Sequence, residues 1–486
     1  MASHNLKIHE QCTVAPPSAP QTSLPLVFFD LFWLRFHPVE RIFFYSLPVT
    51  HSNPSIFFAQ VVPKLKNSLS HTLQHFSPLA GNVLWPHGSS NPVVQYNPGD
   101  AVSVVLAESE ADFDHALDNA PKDASDSRCL VPHLESSDSH ASVMALQITL
   151  FPNRGFAIGI TTHHAVLDGK SSTLFIKAWA SLCKTNDDYS ESSPSSTPSL
   201  TPELEPFFDR TVIKSPSELG FDLAIDLVEM LTKLFPSENS DGRCLKLLPF
   251  PPRLEDHVRG TFVLTGADLE RIKNRVLSKW DTVDIVEAES NLNSTVSSKP
   301  TKLSTFVLTC AYTFVCIAKA WHRVEKEKNK FASGFTMDCR ARLEPPIPEN
   351  YFGNCVWGSM VDAKPSAFLE EEGLVIIAKS THSKIKEMLD KGVFHGIGNA
   401  APRYAALAKE GVELFGIAGS NRFGVYEFDF GWGKPSKVEI VSVDRAITIG
   451  LAENRDEKVG VEIGIVLKRP VMELFATLFR GGLSDE

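Results

Sequence analysis

The chain has 486 residues, more than one ordinary domain holds, so two domains are expected. Hydrophobic residues make up 43% and charged residues 22%, the balance of a soluble globular protein rather than a disordered or fibrous one. Lys and Arg number 47 against 58 Asp and Glu, a net charge of −11, which argues against non-specific nucleic-acid binding without excluding a small basic patch.

Residues 1–20 hold no basic region followed by an apolar core, so no secretory signal is expected. The uncharged stretch 42–63 is broken by Pro48, Pro54 and the polar residues around His51. Residues 141–160 read as two apolar strands around the turn Pro152-Asn153-Arg154-Gly155. The second strand runs straight into His163-His164. Beyond Asp168-Gly169, residues 172–183 carry Phe175, Trp179 and Leu182 at i, i+4 and i+7, a helical stripe. Strand, motif and helix in that order form the kind of junction where α/β proteins expose reactive groups.

Two polar stretches follow, 185–203 and 285–300, both read as loops or linkers. The first begins a crossover. The expected division is an N-terminal domain at 1–205, a linker at 206–245 with a helical signal at 223–234, and a C-terminal domain at 246–486. Residues 267–280 read as a helix bearing Lys273, Arg275 and Lys279. The apolar run 303–318 is shorter than the ~20 residues that span a bilayer and contains Ser304, Thr305, Thr309, Tyr312 and Thr313, so it reads as a buried helix. The eight cysteines include no C-x-x-C pair and read as reduced thiols. The expectation is a cytosolic monomer with no membrane, nucleic-acid or metal partner. Asn293-Ser294-Thr295 fits a glycosylation acceptor, which a cytosolic chain would not use.

Two segments carry the chemistry: His163-His164-Ala165-Val166-Leu167-Asp168-Gly169 and Asp429-Phe430-Gly431-Trp432-Gly433. Together they resemble the marks of plant BAHD acyl-CoA-dependent acyltransferases. The resemblance runs the length of the chain, through Leu24-Pro25-Leu26, Phe28-Phe29-Asp30, the segment 76–82, the segment 303–306 and the segment 338–342. Tyr351-Phe352-Gly353-Asn354-Cys355 is narrower and resembles the subgroup that acylates sugars on anthocyanins, flavonoids and other phenolic glucosides. The polar stretches near 185–203 and 281–300 look longer than the family needs and read as surface insertions. The resemblance implies an α/β fold of two chloramphenicol-acetyltransferase-like domains, mixed sheets flanked by helices, with a channel between them. It implies no bound cofactor and an acyl-CoA co-substrate, malonyl-CoA first and hydroxycinnamoyl-CoA second.

Acyl transfer to a hydroxyl needs a base, and an imidazole with an unperturbed pKa of ~6.5 suits it. His164 takes that role here. His163, facing the other way along an extended segment, reads as packing. Asp168 invites a triad reading. The resemblance implies instead that it turns away from the histidine and pairs with a downstream arginine, Arg340 or else Arg342. Gly169 allows close backbone approach. Asp429, Gly431 and Gly433 read as a structural turn. Trp432 is expected, by resemblance, near the reacting carbonyl, where its indole N–H would face the oxyanion. Resemblance also places Ser304 and Thr305 beside the CoA arm, while Lys273 and Arg275 could offer charge to its 3′-phosphate.

Other motifs fail. Gly169-Lys170-Ser171 ends like a phosphate loop, but position 164 is not glycine. The segment 396–401 fits G-x-G-x-x-A but follows a helical pattern rather than a strand. No G-x-S-x-G elbow is present, so direct transfer through a ternary complex is expected over an acyl-enzyme. A condensation domain with a carrier-bound donor is disfavoured by the Asp429–Gly433 turn. A non-catalytic metabolite-binding homologue is disfavoured by the intact motifs.

Overall fold

The computed structural model describes residues 6–484 apart from residues 90, 186–198, 215–217, 219–243, 249–250, 284–298, 327–329 and 362. The helical signal at 223–234 and most of both polar stretches lie outside the described residues.

Two mixed sheets carry the fold. The first orders its strands Leu6–Val14, Val102–Ser109, Met144–Phe151, Gly155–Thr162, Val39–Ser46 and Lys437–Ile440. Only Val102–Ser109 and Met144–Phe151 are parallel neighbours. The second orders Val356–Met360, Lys330–Asp338, Val412–Gly419, Thr448–Glu453, Gly460–Lys468, His257–Thr265 and Lys122–Asp123. Its central pairs from Lys330–Asp338 to Thr448–Glu453 are parallel and the outer ones antiparallel. A small antiparallel sheet joins Thr22–Pro25, Val93–Tyr96, Asn82–Leu84 and His140–Ser142.

The hairpin expected at 141–160 is present: Phe151 pairs with Gly155 across a turn in which Asn153 takes a φ of 62°. Both strands are buried along their whole length, which explains their almost unbroken apolar sequence. On one face the helices Val62–His75 and Gly169–Thr185 bring Leu65, Leu69, Phe175 and Trp179 against Tyr45, Phe156 and Ile158. On the other, Phe44, Phe113, Leu130 and Phe151 form a second layer. With both faces covered, the strand carrying the histidines has no freedom to shift register.

The expected helices at 267–280 and 303–318 are Gly266–Ser278 and Thr305–Glu325. The latter is buried over most of its circumference, at the centre of the second core with the helices Gly373–Lys391 and Arg469–Gly481. Among the described residues no helix is long and apolar enough to cross a membrane. All eight cysteines are free thiols.

The boundary expected at 206–245 does not separate two closed units. Lys437–Ile440, from the C-terminal half, completes the first sheet against Val39–Ser46. Lys122–Asp123, from the N-terminal half, adds to the second sheet on His257–Thr265. A buried ionic network ties the exchange: Arg128 bridges Glu40 and Asp444, Arg445 meets Glu40 at 3.0 Å, and Lys122 meets Glu439 at 2.9 Å. Sequence periodicity reads elements one at a time, so a four-residue strand contributed from 390 residues away is invisible to it.

Candidate active site

His163 and His164 leave the end of the strand Gly155–Thr162, and the helix Gly169–Thr185 starts five residues later. His163 is fully buried, donates its backbone N–H to Val143 O at 2.8 Å, and accepts at Nδ1 from Ala165 N at 3.2 Å. Burial pushes its pKa down to about 4. It is packing, as the alternation of an extended chain requires.

His164 is half-buried. Its ring stacks on Trp33 with centroids 3.9 Å apart and planes 5° from parallel, and Phe36 meets it edge-on at 6.0 Å. Burial between these rings pushes the imidazole pKa down to about 3; His37 adds to the fall and Asp168 opposes it only weakly. At neutral pH His164 is therefore an uncharged base. Among the described residues its Nδ1 has no hydrogen-bond partner, so no carboxylate orients the ring. The stacking on Trp33 and a 2.9 Å hydrogen bond from Asn354 Nδ2 to the His164 carbonyl hold it instead.

Asp168 faces Arg340. Arg340 Nη1 donates to Asp168 Oδ2 at 2.9 Å and Nη2 to Oδ1 at 3.2 Å. The backbone N–H groups of Ser171 and Cys355 complete the carboxylate at 2.9 and 3.0 Å. Burial alone would raise this carboxyl, but Arg340 and the two backbone donors outweigh it and hold it below its ordinary value. Asp168 therefore has no acceptor capacity left for His164, and the triad reading fails on geometry. Arg342 is exposed and turns back on the carbonyl of Asp338.

The 351–355 segment is the other half of this latch. The carbonyls of Tyr351 and Gly353 accept from Arg340 Nη2 at 3.0 and 3.1 Å, and Ser171 Oγ donates to Gly353 O at 2.9 Å. Asn354 donates through its backbone N and Nδ2 to Asp30 Oδ1, both at 3.0 Å, while Asp30 Oδ2 accepts from Val27 N at 3.0 Å. A Cβ on Gly353 would sit 1.7 Å from Arg210 Nη1 and would force that side chain off its 2.6 Å hydrogen bond to the Tyr351 hydroxyl. Segments 27–33 and 163–171 and the neighbouring pair 338–340 and 351–355, three regions far apart in sequence, thus meet in one buried polar knot around the histidine.

The Asp429–Gly433 turn is built as expected but lies elsewhere. Asp429 Oδ1 accepts from Gly431 N and Gly433 N at 2.8 and 2.9 Å, and Lys184 Nζ donates to its Oδ2 at 2.7 Å. Gly431 and Gly433 take φ values of 103° and 99° that favour glycine. Phe430 is buried edge-on to Trp179 at 4.9 Å. Trp432 lies against Phe156 at 6.2 Å, with Lys64 over its ring at 5.1 Å. Phe156 opens the strand whose far end leads to His164. Six residues of strand at ~3.3 Å each put roughly 20 Å between them. Lys184, at the far end of the helix that follows the motif, gives a similar separation. Trp432 is thus too far to meet an oxyanion beside His164, which corrects the expectation; the turn pins strand to helix at the opposite end of the first sheet.

The remaining expected residues also have local roles. Ser304 caps the helix Thr305–Glu325, its Oγ accepting from Val307 N at 3.3 Å, and Thr305 opens that helix. Lys273 pairs with Glu270 at 3.0 Å, and Arg275 donates to Gly482 O at 2.9 Å. Lys279 pairs with Glu372 at 2.8 Å. None of these joins the knot around His164. Sequence reasoning missed Trp33 as a ring partner and Asp30 and Asn354 as its braces. Asp30 and Asn354 stood inside segments already singled out, but nothing in the sequence connects Trp33 to residue 164.

A model of the transferase family matches residues 5–219 and 265–480. A phenolic glucoside malonyltransferase of Arabidopsis thaliana is 38% identical over 99% of this chain and 98% of its own. A malonyl-CoA:anthocyanidin 5-O-glucoside-6''-O-malonyltransferase of the same organism is 36% identical over 98% of each. The crystal structure of vinorine synthase, 19% identical, superposes with a TM-score of 0.66 over 97% of this chain and 96% of that one, which establishes the shared fold. The chain belongs to the transferase family and is an acyltransferase of the BAHD type.

Proposed function

We propose that the protein moves a malonyl group from malonyl-CoA to a sugar hydroxyl of a phenolic or flavonoid glucoside, with His164 as general base. The observation that carries this is His164 itself, half-buried at the strand–helix junction, stacked on Trp33 at 3.9 Å and held through its carbonyl by Asn354, with Asp168 committed elsewhere. The donor and acceptor classes rest on the names of relatives that match over their full lengths.

The atoms balance in one ternary complex. His164 accepts the proton of the sugar hydroxyl as its oxygen attacks the thioester carbonyl. The tetrahedral oxyanion collapses, the carbon–sulfur bond breaks, and the leaving thiolate takes the proton back from the imidazolium. The products are the malonyl ester and free CoA. General-base catalysis of this kind contributes about 10²–10⁴-fold. Asp168, Arg340 and Asn354 position the histidine and take no proton. The acyl-CoA is a co-substrate, consumed in each turnover.

Free-thiol release from malonyl-, acetyl-, coumaroyl- and caffeoyl-CoA with pooled glucosides tests the assignment. Acceptor-dependent release that is fastest with malonyl-CoA supports it. Release only from an aromatic donor would overturn the donor, and a folded protein silent with every donor and unable to bind CoA would be a non-catalytic homologue.

A further inference from the structure

A cavity of about 30 Å³ lies between the two sheets and is lined by Arg41, Phe423, Val438, Glu439, Ala452 and Glu462 among others. Arg41 is a buried cation there that the chemistry above does not use. It stands on the strand Val39–Ser46 opposite Ile160, four residues before His164. Its neighbour Glu40 points into the ionic network with Arg128 and Arg445, and the alternation of a strand sends Arg41 to the other face.

Arg41 is 4% exposed, and among the described residues its Nε and Nη1 have no hydrogen-bond partner. A buried guanidinium so left is costly. The acids around it are already committed or incomplete. Asp168 is filled by Arg340, Ser171 and Cys355. Glu439 is held by Lys122 at 2.9 Å and Glu462 by the Tyr426 hydroxyl at 2.6 Å. Glu453 accepts from Tyr426 N at 2.9 Å through one oxygen, and among the described residues its other oxygen has no partner. Burial pushes the Arg41 pKa down to about 10, with Asp168 and Glu453 opposing, so the group stays charged at neutral pH.

Its position relative to the motif is set by two contacts. The guanidinium stands over Phe423 at 5.8 Å. A Cβ on Gly169 would fall 3.3 Å from Arg41 Nη2 and 2.8 Å from Phe423 Cε2. Glycine at the start of the motif helix therefore leaves room beside Arg41 Nη2, five residues past the base. A planar fork of donors fits a carboxylate.

Resting on the assignment of malonyl-CoA as donor, we propose that Arg41 binds the free carboxylate of the malonyl group and thereby selects an anionic acyl donor over a neutral one. The malonyl unit presents its thioester carbonyl to His164 and its carboxylate to the unpaired edge of Arg41. A neutral acyl group leaves that edge unsatisfied.

The test measures kcat and KM for malonyl-CoA and acetyl-CoA, with one accepted glucoside, for wild type, Arg41→Gln and Arg41→Lys, beside thermal unfolding of each. Arg41→Gln is expected to lower kcat/KM for malonyl-CoA by about 10²-fold, mostly through KM, and to leave acetyl-CoA unchanged or improved. Arg41→Lys, which keeps the charge without the fork, falls between. The ratio of the two donors is what a merely structural arginine would not move. A folded Arg41→Gln that loses both donors equally, or keeps the wild-type preference, overturns the proposal. If Arg41→Gln does not fold, the ratio in Arg41→Lys decides in the same way. A wild type that does not prefer malonyl-CoA overturns the donor assignment itself, separately from the role of Arg41.

Discussion

Asp168→Asn separates positioning from catalysis. The substitution keeps the side chain's shape and removes its charge. In the wild type the carboxylate receives Arg340 at 2.9 and 3.2 Å and two backbone N–H groups at 2.9 and 3.0 Å. An asparagine amide offers one acceptor oxygen and turns two N–H donors toward a site already crowded with donors. Arg340 is 0% exposed and cannot retreat to water. Breaking a buried ion pair on one side costs about 3–5 kcal/mol. Arg340 keeps Asp338 at 3.0 Å and the carbonyls of Tyr351 and Gly353, so the lower end, ~3 kcal/mol, is expected. The assay is the midpoint of urea unfolding followed by tryptophan fluorescence, beside kcat at 25 °C. Activity should fall about 10²-fold, through displacement of the loop that carries His164. Pairing Asp168→Asn with Arg340→Met should recover part of the lost stability, because both charges then leave together. Wild-type stability with a kcat loss near 10⁴-fold, the effect of removing an orienting carboxylate, would refute the reasoning and restore the triad.

Three further outcomes follow from the geometry. Trp432→Phe should leave kcat within about threefold, whereas loss of an oxyanion donor would cost ~10²–10³-fold; steady-state kinetics decide. The acid limb of kcat/KM should lie below pH 5 rather than near the ~6.5 of a free imidazole, because burial against Trp33 lowers the His164 pKa to about 3. Trp33→Ala should bring that limb back up, and an unchanged profile would argue against the stacking as its cause. Glu40 and Glu439 are held below their usual 4.5 because Arg128, Arg445 and Lys122 outweigh the opposing effect of burial. Their contribution is present above that unfolded-state value and lost as pH falls through the lower folded values. Urea midpoints should therefore drop below about pH 4.5, and Glu439→Gln should flatten the slope there.

What the sequence revealed was local. The two apolar strands read within 141–160, the helical stripe of Phe175, Trp179 and Leu182, and the buried helix read at 303–318 follow from periodicity; the second strand runs on to Thr162, and the last helix starts at Thr305 and runs on to Glu325. The pairing of Asp168 with Arg340 came from resemblance, and the structure has it. What was not legible is non-local. Trp33 covers His164 because a loop from residue 31 folds over the strand end, a contact with no periodic trace. Asn354 reaches the His164 carbonyl across 190 residues. The exchange of Lys437–Ile440 and Lys122–Asp123 between sheets blurs a boundary that composition placed in the linker. Trp432 was misplaced because a motif beside other motifs in a family pattern need not be beside them in space; a strand's length separates it from the base.

The central claim is that His164 is the base of a direct acyl transfer. The most direct measurement is the initial rate of thiol release from malonyl-CoA in the presence of an accepted glucoside, for wild type and His164→Ala, with urea midpoints beside it. The account predicts a loss of about 10²–10⁴-fold at nearly unchanged stability. A folded His164→Ala that retains activity within a few fold would contradict it.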